Sequence, residues 1–419
     1  MHHAQPPAVT ALRKRAASRG FGLVELMVAL AIGLVMIAAM VALFVGTSRN
    51  NREMATTTSM IENGRFSIQL LEGDIVHAGF WGTFVPDFDN ATFIDVPADV
   101  PATVPDPCLA YPPAGWNVDY VNGLLGIPVQ GYDDVQVADD PVCADVVGDA
   151  DGIPGPDILP NTDMLVVRHA ETCVAGVGDC EALTVGKLYL QASLCTEDVA
   201  PYVFGREGTA AFDLRRMACS TNPDLAADVR RFVSNIYYVR NYADTPGDGI
   251  PTLMRSTFDQ HDGATLSHQL AGDLSAANDP VELIEGIDGF RVEFGVDDIS
   301  GTGAAVDYTA ETQWVDDENK LMAVNRGDGI PDGAFVRCTD AAPCVGMDLD
   351  AATPNLVNVT AVRIYVLARS REPTQGYTDT KEYSLGAGTT LGPFNDGFKR
   401  HVYSTTVRLP NISGRRERP

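Results

Sequence analysis

The chain has 419 residues, 45% of them hydrophobic types, enough to bury a sizeable core in roughly one to three domains. Its formal charge is −26, yet the first 20 residues hold Arg13, Lys14, Arg15 and Arg19 and no acid, so a head of +4 precedes a body of −30. A body that acidic argues against nucleic acid as a partner of the bulk surface and suits a solvated protein, one able to meet divalent cations.

Residues 21 to 46 are apolar or small except for Glu25. About 20 residues suffice to span a bilayer as a helix. The basic flank predicts that the amino-terminal side stays in the cytoplasm and the acidic body lies outside. A cleaved secretory signal has a shorter apolar core, and its small-residue cleavage site follows that core. Here Gly20 precedes the apolar run instead. A plain signal anchor explains the length and the basic flank but not Glu25. An acid inside a membrane segment calls for a partner. The nearest candidate cation is a new α-amino group, created if the chain is cut after Gly20.

The stretch "RGFGLVELMVALAIGL" resembles the class III signal of type IV prepilins: a basic leader ending in Gly, an aromatic first residue, Glu at the fifth position, then an apolar helix. The resemblance implies cleavage between Gly20 and Phe21 by prepilin peptidase and N-methylation of Phe21. It also implies that Glu25 pairs with the first amine of a neighbouring subunit and so aligns subunits in a filament. A buried charge left unpaired costs several kcal/mol, which enforces register.

Residues 61 to 82, "IENGRFSIQLLEGDIVHAGFWG", are similar to the segment after the membrane helix in minor pilins of the PilW family. The shared positions are Glu62, Asn63, Gly64, Arg65, Phe66, Leu70, Leu71, Asp74, Ile75, Ala78, Gly79 and Trp81. Val76 stands where the family often has Arg. Met54, Ile61, Ile68 and Ile75 recur every seven residues, joined by Leu71, and predict an amphipathic helix with one face for a head. Arg52, Glu53, Glu62, Arg65 and Glu72 fall on the other faces. Gly64 and Gly73 are expected to weaken it locally.

From 83 to 160 the chain is rich in Pro, Asp and Gly and predicts irregular connections, with "DVPADVPATVPDP" mobile and Trp116 and Tyr120 pinning the rest. Strand signals follow at 162–170, 187–193, 229–242, 289–297, 356–370 and 399–410, rich in β-branched and aromatic residues. Strands after one long helix predict an α+β, pilin-like fold: the helix packed on an antiparallel sheet with long loops. "IYYVRNYADTPGDGIPTLMR" (236–255), "ELIEGIDGFRVEFGVD" (282–297), "VTAVRIYVLARS" (359–370) and "STTVRLPN" (404–411) resemble further PilW blocks. The expected divisions are a leader at 1–20, a membrane half of the helix at 21–46, an amphipathic half at 47–82, and a periplasmic or extracellular head at 83–419.

The eight cysteines lie between 108 and 344, beyond the membrane segment, without zinc spacing. An even number in that position predicts disulfides made in an oxidising compartment, with buried free thiols as the alternative. Cys173 with Cys180, Cys195 with Cys219, and Cys338 with Cys344 are close in sequence; Cys108 and Cys143 complete the set.

"DGIP" occurs at 151–154, 248–251 and 328–331. Asp149, Asp151 and Asp157 around the first are candidate Ca²⁺ ligands, although the terminal Glu of an EF-hand is absent. Asp328 and Asp332, with Asp316 and Asp317, are a weaker set. Ordinary turn chemistry competes, because Asp-Gly and Ile-Pro both set turns. The RGD at 326–328 is short enough to arise by chance. There is no G-x-S-x-G, HExxH or P-loop. His169, His261, His268 and His401 are scattered, and His169 reads as a structural residue of a strand.

The resemblance as a whole implies a non-enzymatic minor pilin of type IV pilus assembly, in a priming or tip complex. Its partners would be other minor pilins, the major pilin and a large tip adhesin. It would be held in the inner membrane by a single pass, with no small-molecule cofactor. The rivals are a type II secretion pseudopilin of the J kind and an unprocessed membrane-anchored adhesin or calcium-binding protein. Turn chemistry at the DGIP loops predicts that EGTA leaves the thermal midpoint unchanged; a calcium-dependent rise of several degrees would instead mark a bound ion.

Overall fold

The computed structural model describes residues 20, 22–90, 92–133, 158–222, 225–261, 265–270, 280–347, 355–386 and 388–417. Residues up to Ala55 form one unit and Thr56–Pro419 a second, compact one.

Helix α1 is Leu23–Ile75. In the compact unit it is followed by α2 (Val118–Gly126) and by β1 (Val129–Tyr132), β2 (Met164–Ala170), β3 (Leu188–Ala192), β4 (Tyr202–Arg206), β5 (Val229–Arg240) and β6 (Thr252–Thr257). Next come β7 (Asp259–His261), β8 (Thr265–Ser267), β9 (Val281–Glu285), β10 (Ile287–Val296), β11 (Trp314–Asp316) and β12 (Leu321–Ala323). The chain closes with β13 (Val359–Arg369), β14 (Tyr383–Ser384), β15 (Thr390–Leu391), β16 (Arg400–Arg408) and a carboxyl-terminal helix, α3 (Pro410–Arg416).

The six strands expected from sequence are β2, β3, β5, β10, β13 and β16. They do not share one sheet. β1, β2, β5, β3, β4, β6 and β9 make a seven-stranded antiparallel sheet, and β10, β13 and β16 a separate three-stranded one. The long β5 is shared: residues 229–231 pair with β3, 232–237 with β2 and 235–240 with β6. One core joins both sheets to the helix, through Leu71 and Ile75 of α1, Val167 and Tyr237 of the larger sheet, and Phe290, Ile364 and Val407 of the smaller.

Two expectations about the helix are corrected. It stops at Ile75, short of 82. And its buried residues are Met60, Gly64, Ser67, Leu71 and Ile75, whereas Met54 and Ile61 are 69% and 39% exposed. A strict seven-residue repeat drifts about 20° per heptad on a straight helix, so a stripe begun at Met54 leaves the head-facing side. The real face uses small residues where the sheet comes close. Gly64 is one: a Cβ there would fall inside the Tyr403 ring of β16. Beside it Asn63 Nδ2 donates to Glu285 O at 3.0 Å, and Ser67 Oγ to Asn63 O at 2.7 Å.

The described residues between 83 and 133 also carry more helix and burial than their composition suggested. Asn117 caps α2, accepting from Tyr120 N at 2.8 Å, a cap the sequence carried but the proline-rich context hid. In "DVPADVPATVPDP" the prolines Pro97, Pro101, Pro105 and Pro107 are buried, and Asp99 accepts from the amides of Asp87 and Phe88 at 2.7 and 3.2 Å. Trp116 packs against Tyr111, Tyr120, Phe204 and Phe258 and does pin the segment.

The packing at Gly64 predicts opposite outcomes for two glycines of one helix. Gly64→Ala should cost about 1–3 kcal/mol through overpacking. Gly73, with open space around it, should gain roughly 0.5–1 kcal/mol on replacement by Ala. Thermal melts of the full chain in detergent would read both; equal shifts would refute the close approach.

Candidate functional site

At the amino terminus Gly22 precedes the first helical residue, Leu23, and Glu25 lies in the first turn. Gly22 N donates to Glu25 Oε2 at 3.0 Å. This is half of a capping box: the third helical residue reaches back to the amide before the helix. The carboxylate sits at the positive end of the helix dipole. Gly20 is exposed, and Phe21 lies outside the described residues. The following apolar stretch is long enough to cross a membrane, and none of its most apolar window is buried. From Leu23 to Val45 the large side chains are more than half exposed, Leu23 at 76% and Phe44 at 74% among them.

In the compact unit the end of α1 is held by a half-buried carboxylate. Asp74 Oδ1 faces His169 Nε2 of β2 at 3.0 Å, and Oδ2 accepts from Asn235 Nδ2 and the Tyr237 hydroxyl of β5 at 3.0 and 2.9 Å. Burial alone would raise the Asp74 pKa, but these donors hold it below the usual carboxylate value. Burial would likewise lower His169, yet the Asp74 carboxylate raises it above the ordinary histidine value. His169 is thus structural in this geometry. Sequence reasoning missed its partners. The available signal was the alternation in β5, which puts polar Asn235 and Tyr237 on one face.

The carboxyl terminus completes this junction. Asn411 Nδ2 donates to the carbonyls of Val76 and Ala78 at 3.1 and 3.3 Å, and Arg415 to Gly79 O at 2.7 Å. These are carbonyls of the turn that follows the last residue of α1. Arg416 is buried between Asp89 (2.7 Å) and Asp297 (3.2 Å) and donates to Val357 O at 2.9 Å. Asp297 is pushed up to about 6 by burial, against the pull of Arg416 and the amides of Gly329 and Asp328. Helix α3 was not expected from the sequence.

Those amides belong to the third DGIP. Its Asp328 accepts from Ile330 N at 3.0 Å, and Asp332 from Ile299 N at 2.7 Å. In the second DGIP, Asp248 accepts from Ile250 N at 2.8 Å and from Asp244 N at 3.0 Å. Asp316 takes Asn319, and Asp317 takes Lys320. Asp248, Asp316, Asp317 and Asp328 take partners two to four residues away, whereas Asp332 reaches across to a segment 33 residues off. Asp149, Asp151 and Asp157 lie outside the described residues. In the RGD, Arg326 lies over the Tyr308 ring and donates to Ala310 O at 2.9 Å.

Cys173–Cys180, Cys195–Cys219 and Cys338–Cys344 are disulfides. Cys108 is disulfide-bonded too, while Cys143 lies outside the described residues. Among the described residues one group of metal-ligand types converges, Cys195, Glu197 and Cys219, and both its thiols are spent in the disulfide. Of the other histidines, His268 is buried between the hydroxyls of Ser234 and Ser256, at 3.0 and 3.2 Å. His401 stacks edgewise with Tyr403 on β16, and His261 lies in β7.

Residues 236–411 match the family described as Type IV Pilus-assembly protein W, and residues 15–45 match the prokaryotic N-terminal methylation motif. No curated protein matches the chain. Among solved structures it is similar to the type IV-like pilin TTHA1219 from Thermus thermophilus, at 16% identity over 60% of this chain and 80% of that one. The TM-score is 0.21, too slight a likeness to carry an argument.

The Asp74–His169 pair sets a pH dependence. A histidine whose folded pKa is raised stabilises fully below its unfolded value, near 6.5, and loses that contribution as pH rises through the folded value. Asp74, lowered from 3.8, loses its contribution only at the acid end, as pH falls through its folded value. The thermal midpoint of the native chain should therefore exceed that of His169→Gln by more at pH 6 than at pH 9. A gap independent of pH would show that the pair is not ionic.

Proposed function

We propose that this chain, a minor pilin of the type IV pilus-assembly protein W family, acts in a priming or tip complex of the pilus. The observation that carries this reading is the junction at its amino terminus. A basic leader ends at Gly20, and Glu25 stands in the first turn of an uncovered apolar helix. Removal of the leader by prepilin peptidase frees an amine at Phe21. Until assembly the Glu25 carboxylate is satisfied by the Gly22 amide, a neutral donor. In a filament it exchanges this for the amine of a neighbouring subunit, a charge-assisted bond that is stronger in a medium of low dielectric. The protein waits in the inner membrane with its head in the periplasm and then joins the pilus. Its partners are other minor pilins, the major pilin and a tip adhesin. Its contribution is assembly. A type II pseudopilin of the J kind shares the leader logic, but the PilW match over 236–411 favours the pilus.

Two measurements check this. Amino-terminal sequencing of the membrane-extracted protein should start at a methylated Phe21; a chain beginning at Met1 would sink the reading. Glu25→Ala should insert and be cleaved normally yet fall in sheared pili by about tenfold or more, the loss expected when a buried charge pair is broken. Undiminished recovery would remove the ion pair from the mechanism.

A further inference from the structure

The RGD at 326–328 lines a pocket instead of projecting as a free tripeptide. Arg326 and Asp328 are half-buried, and both border a cavity of about 510 Å³. That is the size of a small-molecule site. Phe88 and Tyr308 contribute two buried aromatic rings, packed edge to face with centroids 5.5 Å apart. Trp314 of β11, Leu321 and Met322 of β12, and Ile330 of the third DGIP add apolar surface. Leu321, Met322 and Ile330 are 46%, 52% and 59% exposed, so apolar wall is left facing water. The β11–β12 hairpin keeps its shape against strain. Lys320 and Met322 hold φ of 53° and 51°, a left-handed conformation that suits neither side chain. Strain of this kind gathers at ligand sites.

The charges in the lining divide into matched and unmatched. Asp89 pairs with Arg415 and Arg416, Arg416 also with Asp297, and Glu417 with Arg408. These are neutralised within the head and offer a ligand nothing. Arg326 and Asp328 have no ion-pair partner among the described residues. Arg326 has five N–H donors. It spends three bonds on the carbonyls of Asp307, Ala310 and Asn325 and none on a carboxylate. Burial pushes its pKa down, opposed by Tyr308 and by Asp307, whose Oδ1 is taken by Thr309. An anion at Arg326 would relieve that cost. Asp328 Oδ1 accepts from Ile330 N, while Oδ2 has no donor among the described residues. Further negative charge stands near it. Burial raises the pKa of Asp332, and the charges of Asp328 and Asp298 raise it further. A cation at Asp328 would be favoured for the same reason.

The pocket thus presents one unmatched cation, one unmatched anion and an apolar wall. Its complement carries both charges on a small head and has an apolar body. A chain terminus, a fatty acid or an alkylamine supplies only one of the two charges. We propose that this pocket binds a free α-amino acid with a large apolar side chain. Its carboxylate would lie on Arg326, its ammonium on Asp328, and its side chain against Trp314, Leu321, Met322 and Ile330. Charge-assisted bonds fix the head, and the apolar wall selects the body. The site lies wholly in the compact unit and does not depend on processing at Phe21.

The test is calorimetric titration of the full chain in detergent. L-Phenylalanine should bind with a Kd of about 1 mM or tighter, a modest demand for a ligand of that size. Glycine, which lacks the apolar body, should not bind. N-acetyl-L-phenylalanine loses the ammonium and L-phenylalanine amide loses the carboxylate, and each should bind about tenfold more weakly. Asp328→Asn keeps an oxygen for Ile330 N. It should weaken phenylalanine to the level of the N-acetyl compound and leave the N-acetyl compound unchanged. Arg326→Gln should likewise abolish the difference between phenylalanine and its amide. Should either variant unfold, the four ligands on the native chain decide. No binding of phenylalanine, glycine binding as well, a capped derivative binding as tightly, or a folded Asp328→Asn with native affinity would each overturn the proposal. None of these outcomes touches the Phe21 and Glu25 reading.

Discussion

Burying a carboxylate where a helix meets a sheet is costly unless every lone pair finds a donor. Asp74 meets that condition with His169, Asn235 and Tyr237, drawn from two neighbouring strands. Those donors are spaced to receive a single orientation of the helix end. The hydrophobic contacts of Leu71 and Ile75 supply more free energy, but they tolerate sliding, whereas the four polar groups do not. Position along the helix and rotation about it are therefore decided at Asp74, and the packing above and below follows from it.

Nearly three helical turns earlier the constraint is steric. Gly64 lets β16 approach, and the Tyr403 ring takes the space a side chain would fill. The chain's last helix then closes the junction from the far side, capping the carbonyls that follow α1 with Asn411 and Arg415. Elements at the two ends of the sequence thus stabilise each other.

The acidic composition is used mainly for local architecture. Of 56 acids, many accept from amides two to five residues away and hold long loops in shape, as Asp248 and Asp328 do. Others clasp the scarce arginines inside: Asp163 holds Arg291 and Arg337, and Arg400 is ringed by Asp288, Asp379 and Asp396. A head built this way needs little regular structure between its strands, which explains how a chain so rich in turns stays ordered over its described loops.

Much of this was legible in the residues alone. The apolar run, its basic flank and Glu25 mark a helix long and apolar enough to cross a membrane, because a bilayer imposes length and charge on any segment that crosses it. Period-two patterns located the six main strands, because each is buried on at least one face. The pairing of β5 with three different neighbours and the division into two sheets were decided only in three dimensions. So were the partners of Asp74 and the reason for Gly64. Sequence periodicity records which face of an element is buried, but not what it is buried against. That depends on residues far apart in the chain, such as Gly64 and Tyr403 or Val76 and Asn411, whose meeting has no local signature.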